Sequence, residues 1–573
     1  MFAPAISKVR EFLSSWKNLL ALGTLPFLGA WIYNRVWMVN PAILGDEYLY
    51  SMNARKVGPW DPPLAGDFSN YLFNFVYQGT NLCGDAFYTC GKILNIVFFL
   101  GFTFTIFVLA LRFLPFWGAY AFMIAAALSP LSVYTSMFLP ESMYFFFVGL
   151  VLVAVLRAMN VFSWQNWALA GAAIGAASLV KPHAWLSAIA VGITLVVVGL
   201  FNKDIGFKRT LFAALGLVAG AALARVILGF LIAGPKALAF FGQYLGLSTI
   251  TTVIAGTGAQ VSSDGASTLT PVQGVVALFG QQLNIHLLTI SSLMALAVLG
   301  LVVGVIQVLR EKSINEASGF ALFGFIWLVS MTIEIVMFTG WVTGSGDDHS
   351  TRVLIRYYEF LFVIVPLAGL SALVARSGET VNVFVRWVTA GIFAALITPA
   401  FTGFFGTLTI QIADAPTLAG LIVNMDVFNA AALLGFSSLL LFAAFPRWSP
   451  WAFLVLLPVT MIGTGWQIQD QYQAFRGSEN AADIVGKQIA REFSAEELSK
   501  TWVVGTSRFE VTNVAIWADN AELTYQLYGP GSALGASMAP EGTKKIIVTG
   551  DLQVIEGASL ELSGSGFAIY SVD

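Results

Sequence analysis

The chain has 573 residues, 57% of them hydrophobic and only 11% charged, with a mean hydropathy of +0.78 and a formal net charge of −3. Soluble globular chains carry about 25% charged residues, so this composition excludes an ordinary soluble protein. The small net charge also argues against a general nucleic-acid binder.

Apolar runs near the ~20 residues of a bilayer span recur along the chain, which predicts a polytopic α-helical membrane protein. Hydrocarbon offers no partner for backbone polar groups, so each run must satisfy them within a helix. The pattern gives about 13 transmembrane helices. They fall near 18–36, 93–113, 117–138, 142–159, 164–182, 184–202, 209–232, 285–309, 317–340, 357–375, 384–405, 427–445 and 450–468. No small-residue cleavage pattern follows the first run, which reads as a retained span rather than a signal peptide.

Positive residues set the orientation, because Lys and Arg collect in cytoplasmic connections. With the N-terminus cytoplasmic, thirteen Lys and Arg fall in inner segments against eight in outer segments before residue 470. The inner loops are then short, and the sizeable loops at 37–92, 233–284 and 341–356 lie outside. Loops on a rigid scaffold carry function, so the working face is expected to be external. The Gly-, Ser- and Thr-rich stretch from Thr251 to Thr270 suits either a cover over a site or a plain connector. Cys83 and Cys90 share the first outer loop, where a disulfide and two free thiols both remain open.

Composition changes near 470, where Glu479, Asp483, Lys487, Arg491 and Glu492 bring charge at helical spacing. Strand-like runs follow at 502–504, 545–548 and 567–570. The reading is a transmembrane domain over 1–469 and a soluble α/β domain over 470–573, external if the span number is odd. No nucleotide-binding glycine fingerprint occurs in it, and a support or acceptor-docking role is expected.

Chemistry gathers at the outer ends of the spans. Asp46 and Glu47 follow the first span; one carboxylate could serve as a base while its neighbour orients a ligand. The same pair also suits a helix cap. Glu141 opens the fourth span, Lys181-Pro182-His183 closes the fifth, Glu334 lies near the outer end of the ninth, and Asp347, Asp348, His349, Arg352, Arg356 and Tyr357 precede or open the tenth. Ionisable groups at membrane depth usually face a cavity and mark function, whereas each alone could snorkel to the interface. The cations could hold a phosphate. Arg225, deeper in the seventh span, suits a structural helix–helix pairing.

Gly45-Asp46-Glu47 in the first outer loop, Lys181-Pro182-His183 at a helix end and Arg356-Tyr357-Tyr358-Glu359 opening a late span resemble the GT-C class of membrane glycosyltransferases. The resemblance is to the protein O-mannosyltransferase and lipid A aminoarabinose transferase group. It implies a polyprenyl-phosphate-linked sugar as donor, a glycan, lipid or protein hydroxyl as acceptor, and transfer on the outer face of a bacterial plasma membrane. Asp46 is then the base with Glu47 in support, and Lys181, Arg352, Arg356, His183 and His349 are candidates for the donor phosphate. Glu141, Arg55 and Tyr357 are candidates for substrate binding. The class implies a divalent cation in some members, with no ligands assigned here, and no nucleotide cofactor. A transporter or flippase of lipid-linked glycans is the rival, with a polymer ligase as a third reading. No internal repeat supports transport, and the polar groups gather at one face rather than at midplane.

Overall fold

The computed structural model describes residues 15–42, 44–58, 60–61, 69–202, 205–238, 271–344, 350–375, 382–422, 424–552 and 556–572. Every one of the expected spans coincides with a helix. In chain order the long elements are α1 (Trp16–Val36), α2 (Leu44–Arg55), α3 (Tyr71–Tyr77), α4 (Phe87–Ala110), α5 (Phe116–Ala127), α6 (Glu141–Asn160), α7 (Trp164–Val180), α8 (Ala184–Phe201) and α9 (Gly206–Ala233). After these come α10 (Pro271–Glu311), α11 (Glu316–Gly344), α12 (Leu361–Ala375), α13 (Val383–Ile397), α14 (Pro416–Ile422), α15 (Met425–Ala444) and α16 (Ser449–Arg476). The protein is thus a multi-pass helical membrane protein.

The number of full spans is smaller than expected. Among the described residues eight helices are long and apolar enough to cross a membrane, or nine if α5 and the bent 3-10 segment Pro130–Ser136 count as one. The other four expected segments are also helical: α1 has 21 residues but is less apolar, α7 has 17, and α12 and α13 have 15 each. Fifteen residues rise about 22 Å, short of the ~30 Å of a hydrocarbon core. Hydropathy alone does not separate such helices from spans, because an apolar segment enclosed by neighbours reads the same way. Leu361 to Leu373 of α12 is buried throughout.

Close backbone approach holds the bundle together. A Cβ on Gly171 or Gly175 of α7 would strike the backbone of α9 at Leu217 or Ala221, and one on Gly220 of α9 would strike Ala168. Apolar lipid provides no net drive to bury helices, so small residues that let backbones meet supply much of the packing. Gly300 of α10 and Gly369 of α12 form a second such crossing. Phe207, Phe212, Leu215 and Val218 of α9 stay exposed, as suits a lipid-facing surface.

The composition break at 470 falls within α16, which runs on to Arg476. Beyond it lie α17 (Ala481–Glu492), opened by a capping box between Asn480 and Asp483, α18 (Ala495–Ser499) and α19 (Arg508–Ala518). A five-stranded sheet is built from β1 (Thr501–Gly505), β2 (Thr524–Leu527), β3 (Lys545–Thr549), β4 (Ser559–Gly564) and β5 (Phe567–Ser571), in the order β2-β1-β3-β5-β4. Strand β1 pairs parallel with β2 and β3, and β5 runs antiparallel to β3 and β4. The three strand-like runs in the sequence are β1, β3 and β5; β2 and β4 are exposed edge strands with weak alternation.

This α/β unit sits directly on α2. Arg55, at the end of α2, donates from both terminal nitrogens to the Asp519 carboxylate, at 2.5 and 2.9 Å, and Lys56 reaches the same carboxylate at 2.8 Å. Asp519 follows α19 in the left-handed conformation, φ 53°. Tyr48 meets Tyr525 edge-on at 5.7 Å. Cys83, in the segment between α3 and α4, forms a disulfide with Cys90 in the first turn of α4. Arg225 is buried and donates to the Ser178 carbonyl at 2.8 Å, the structural role expected of it.

Candidate active site

Four chain breaks bring the site together. Pro140 precedes α6, so Glu141 stands in the first helical turn, where exposed backbone amides favour a carboxylate. Pro182 has no amide hydrogen, so α7 stops at Val180. Lys181 then takes an extended backbone, with φ −149° and ψ 124°, and His183 caps α8. Arg356 sits in the one-turn 3-10 helix Ile355–Tyr357, and Asp46 lies in the first turn of α2.

At the centre, Arg356 spans two carboxylates. Its Nη2 donates to Asp46 Oδ2 at 2.9 Å, and its Nε lies 2.9 Å from Glu141 Oε1. Lys181 Nζ reaches the same Glu141 oxygen at 2.9 Å. Glu141 is fully buried, whereas the Asp46 side chain is 41% exposed. The Lys181 ammonium also lies 4.9 Å from the Tyr357 ring, on which His183 packs at 4.6 Å. Burial lowers the Lys181 pKa below its ordinary value, with Glu141 opposing the fall. Burial also works against the Arg356 charge, but Glu141 and Asp46 outweigh it and hold the guanidinium above its ordinary value. For His183, burial and then Lys181 and Arg356 push the imidazole well below the usual range, so it is neutral.

Asp46 opens onto a cavity of about 570 Å³. Arg352, Arg356, Tyr357 and Asp414 line it from the bundle; Arg508 and Thr512 line it from α19. Asp414 carries a part that the sequence reading did not assign. Its Oδ2 accepts from Arg352 Nε at 2.7 Å, and its carbonyl accepts from the Arg356 amide at 2.6 Å. The Val353 amide donates to the Thr409 carbonyl at 3.2 Å, locking the arginine turn against the 409–414 segment. An aspartate two residues before Pro416, at another helix junction, has the same signature as Asp46 and Glu141 and could have been singled out on that ground.

Glu359 is a second unassigned carboxylate. It accepts from Tyr134 Oη at 2.8 Å and from the Thr417 amide at 2.7 Å, tying the turn before α12 to the start of α14. Burial raises its pKa to about 7.

The candidates separate accordingly. Asp46, Glu141, Lys181, His183, Arg352, Arg356 and Tyr357 come together at the end of the bundle that carries the α/β unit. Glu47 does not face the cavity. It is buried, and its carboxylate accepts from the Ala42 and Phe138 amides, both at 2.7 Å, and from Tyr88 Oη at 2.6 Å. Of the two adjacent carboxylates Asp46 is the one that lines the cavity, and Glu47 is bonded within the structure beneath it. Arg55 does not line the Asp46 cavity: its guanidinium is buried, and Asp519 supplies the carboxylate that a buried charge needs. His349, Asp347, Asp348 and the 251–270 stretch lie outside the described residues. Among the described residues no three of His, Cys, Asp and Glu group as metal ligands. Asp46 and Glu141 are already held by cations, so the described donor set does not fit a divalent ion.

No protein-family model and no curated protein matches the chain. Among solved structures, the chain is similar to ArnT from Cupriavidus metallidurans bound to undecaprenyl phosphate, with 12% identity, a TM-score of 0.45, and coverage of 96% of this chain and 97% of that one. It is also similar to the Archaeoglobus fulgidus oligosaccharyltransferase, with 10% identity, a TM-score of 0.41, and coverage of 94% and 70% respectively. Arabinosyltransferase EmbB from Mycobacterium smegmatis is a third, with 16% identity, a TM-score of 0.38, and coverage of 82% and 43%.

Proposed function

We propose that the protein is a membrane glycosyltransferase that moves a sugar from a polyprenyl-phosphate carrier to an acceptor hydroxyl, with Asp46 as general base. The observation that carries the reading is Arg356 bridging an exposed aspartate on a cavity wall and a buried glutamate that also holds Lys181. A lone carboxylate beside bulk water is unremarkable; one oriented by a buried arginine at the mouth of an apolar bundle is poised for proton transfer. One oxygen of Asp46 accepts from Arg356. Among the described residues the other makes no hydrogen bond, which leaves it to an incoming hydroxyl.

The reaction balances as an inverting displacement. The acceptor oxygen forms a bond to the anomeric carbon as its proton passes to Asp46. The bond from that carbon to the phosphate oxygen breaks, and polyprenyl phosphate leaves with the electron pair. Negative charge grows on the departing phosphate, which Arg356 and Lys181 are suited to stabilise, since preorganised charge aimed at a developing anion is often the largest catalytic term. Arg356 offers the planar fork, and Lys181 a point charge. Arg352 stands beside them, neutralised by Asp414 until an anion arrives. Tyr357 and His183 close the site as an aromatic wall. The bundle would keep the lipid tail in the bilayer, which explains why a sugar transfer is housed in a membrane protein.

The distribution of Lys and Arg supports a cytoplasmic N-terminus and a site on the external face. The Cys83–Cys90 disulfide at the same end fits an oxidising compartment. A bacterial plasma membrane is the proposed location, with a glycan, lipid or protein as acceptor.

The test is incubation of purified protein with a panel of polyprenyl-phosphate sugars and candidate acceptors, following free polyprenyl phosphate. Acceptor-dependent release from at least one donor supports the assignment. Movement of intact donor across vesicles without any release points to a flippase instead.

A further inference from the structure

Arg508, Phe509 and Thr512 of α19 form the wall of the Asp46 cavity that belongs to the α/β unit. Their position is fixed at two points. Buried Arg476, the last residue of α16, donates from Nε to the Pro41 carbonyl at 2.6 Å, just ahead of α2, and its guanidinium lies 5.1 Å from the Phe509 ring. Asp483 holds that guanidinium at 2.9 and 3.0 Å. At the other end of α19, Asp519 is locked to Arg55. Helices α2 and α19 are therefore clamped together at both ends, with the cavity between Asp46 and Arg508.

Among the described residues the charges on that cavity are not balanced. Arg352 is paired with Asp414, and Arg356 with Asp46 and Glu141. Behind them Lys181 is paired with Glu141. Arg508 is exposed on the cavity and has no carboxylate partner among the described residues. An arginine held over a reaction cavity with its fork open is suited to a phosphate or carboxylate.

We propose that Arg508 forms an anion subsite in the roof of the cavity, taking a phosphate or carboxylate group of the acceptor, so that the α/β unit selects the acceptor. This rests on the reading that Arg356 and Lys181 take the donor phosphate. A donor anchored by its lipid presents its phosphate from the bundle, whereas Arg508 faces the cavity from the water-side domain, where a polar acceptor enters.

The experiment uses the full chain in nanodiscs, with glucose 6-phosphate and glucose as soluble probes and undecaprenyl phosphate as the lipid probe. Arg508→Ala is expected to weaken glucose 6-phosphate binding about tenfold, the scale of one charged hydrogen bond. It is expected to leave glucose and undecaprenyl phosphate affinities unchanged, and Arg508→Lys should restore part of the loss. The inference is overturned if wild type does not prefer glucose 6-phosphate to glucose, if Arg508→Ala leaves that preference intact, or if it weakens undecaprenyl phosphate instead. Arg356→Lys is the separate arm. If it leaves undecaprenyl phosphate binding unchanged, the donor reading fails, while the Arg508 result still decides the roof site.

Discussion

Arg356 Nη2 lies 2.9 Å from Asp46 Oδ2, although 310 residues separate the two in the chain. One guanidinium thus joins the first helix turn after α1 to the turn before α12, and its Nε continues the connection to Glu141. The carboxylate proposed to take a proton and the cation proposed to meet the leaving phosphate are held as one unit.

That unit makes Arg356→Lys a sharp probe. Lysine keeps the charge but cannot hold Asp46 and Glu141 simultaneously with two fixed nitrogens. Transfer should fall by about 10²–10³, the usual cost of losing one preorganised donor. Steady-state kinetics in detergent check it, with thermal unfolding as the control for folding.

Glu141 should matter for stability first. Glu141→Gln leaves Lys181 and Arg356 buried with reduced compensation, and removing one partner of a buried ion pair costs about 3–5 kcal/mol. A clearly lowered Tm is expected, whereas Asp46→Asn, on a side chain 41% exposed, should leave the Tm close to wild type. Equal Tm changes in the two variants would contradict the division of roles.

Glu359 gives a pH dependence with a defined sign. Its carboxyl titrates near 7 in the folded protein, above its ordinary value of 4.5, so the folded state holds the proton more tightly than the unfolded state does. The associated stability is fully present below about pH 4.5 and is lost as pH rises through about 7. Glu359→Gln removes the titration, so the Tm difference between variant and wild type should shift in the variant's favour from pH 5 to pH 8. Parallel Tm profiles across that range would refute the assignment.

The Arg55–Asp519 contact should dock the α/β unit rather than bind substrate. Asp519→Asn leaves a buried guanidinium partly unpaired and should destabilise the protein by about 2 kcal/mol. Replacing both residues with leucine should cost less than the single change, because no buried charge is stranded. Differential scanning calorimetry of the two variants decides between docking and a substrate role.

Much of this site was legible because charge is scarce. In a chain with 11% charged residues, Asp46, Glu141, Lys181 and Arg356 stand out at helix junctions, and Pro140 and Pro182 mark where those junctions fall. The helices were legible for the same reason, although hydropathy could not tell the enclosed 15-residue α12 from a full span. Where Glu47 and Arg55 point was not legible because side-chain direction is invisible in sequence: one turns to Tyr88 and two amides, the other to a carboxylate 464 residues away. Arg508 could not be read at all, since its place over the cavity depends on how α19 docks on α2.

The central claim is that Asp46 takes the acceptor proton, and the most direct measurement is release of free polyprenyl phosphate by purified Asp46→Asn beside wild type. Asparagine preserves the shape and the contact with Arg356 while removing the basic oxygen. The account predicts a folded variant that still binds undecaprenyl phosphate yet releases no product above background with any donor the wild type uses. Turnover near the wild-type rate would contradict it.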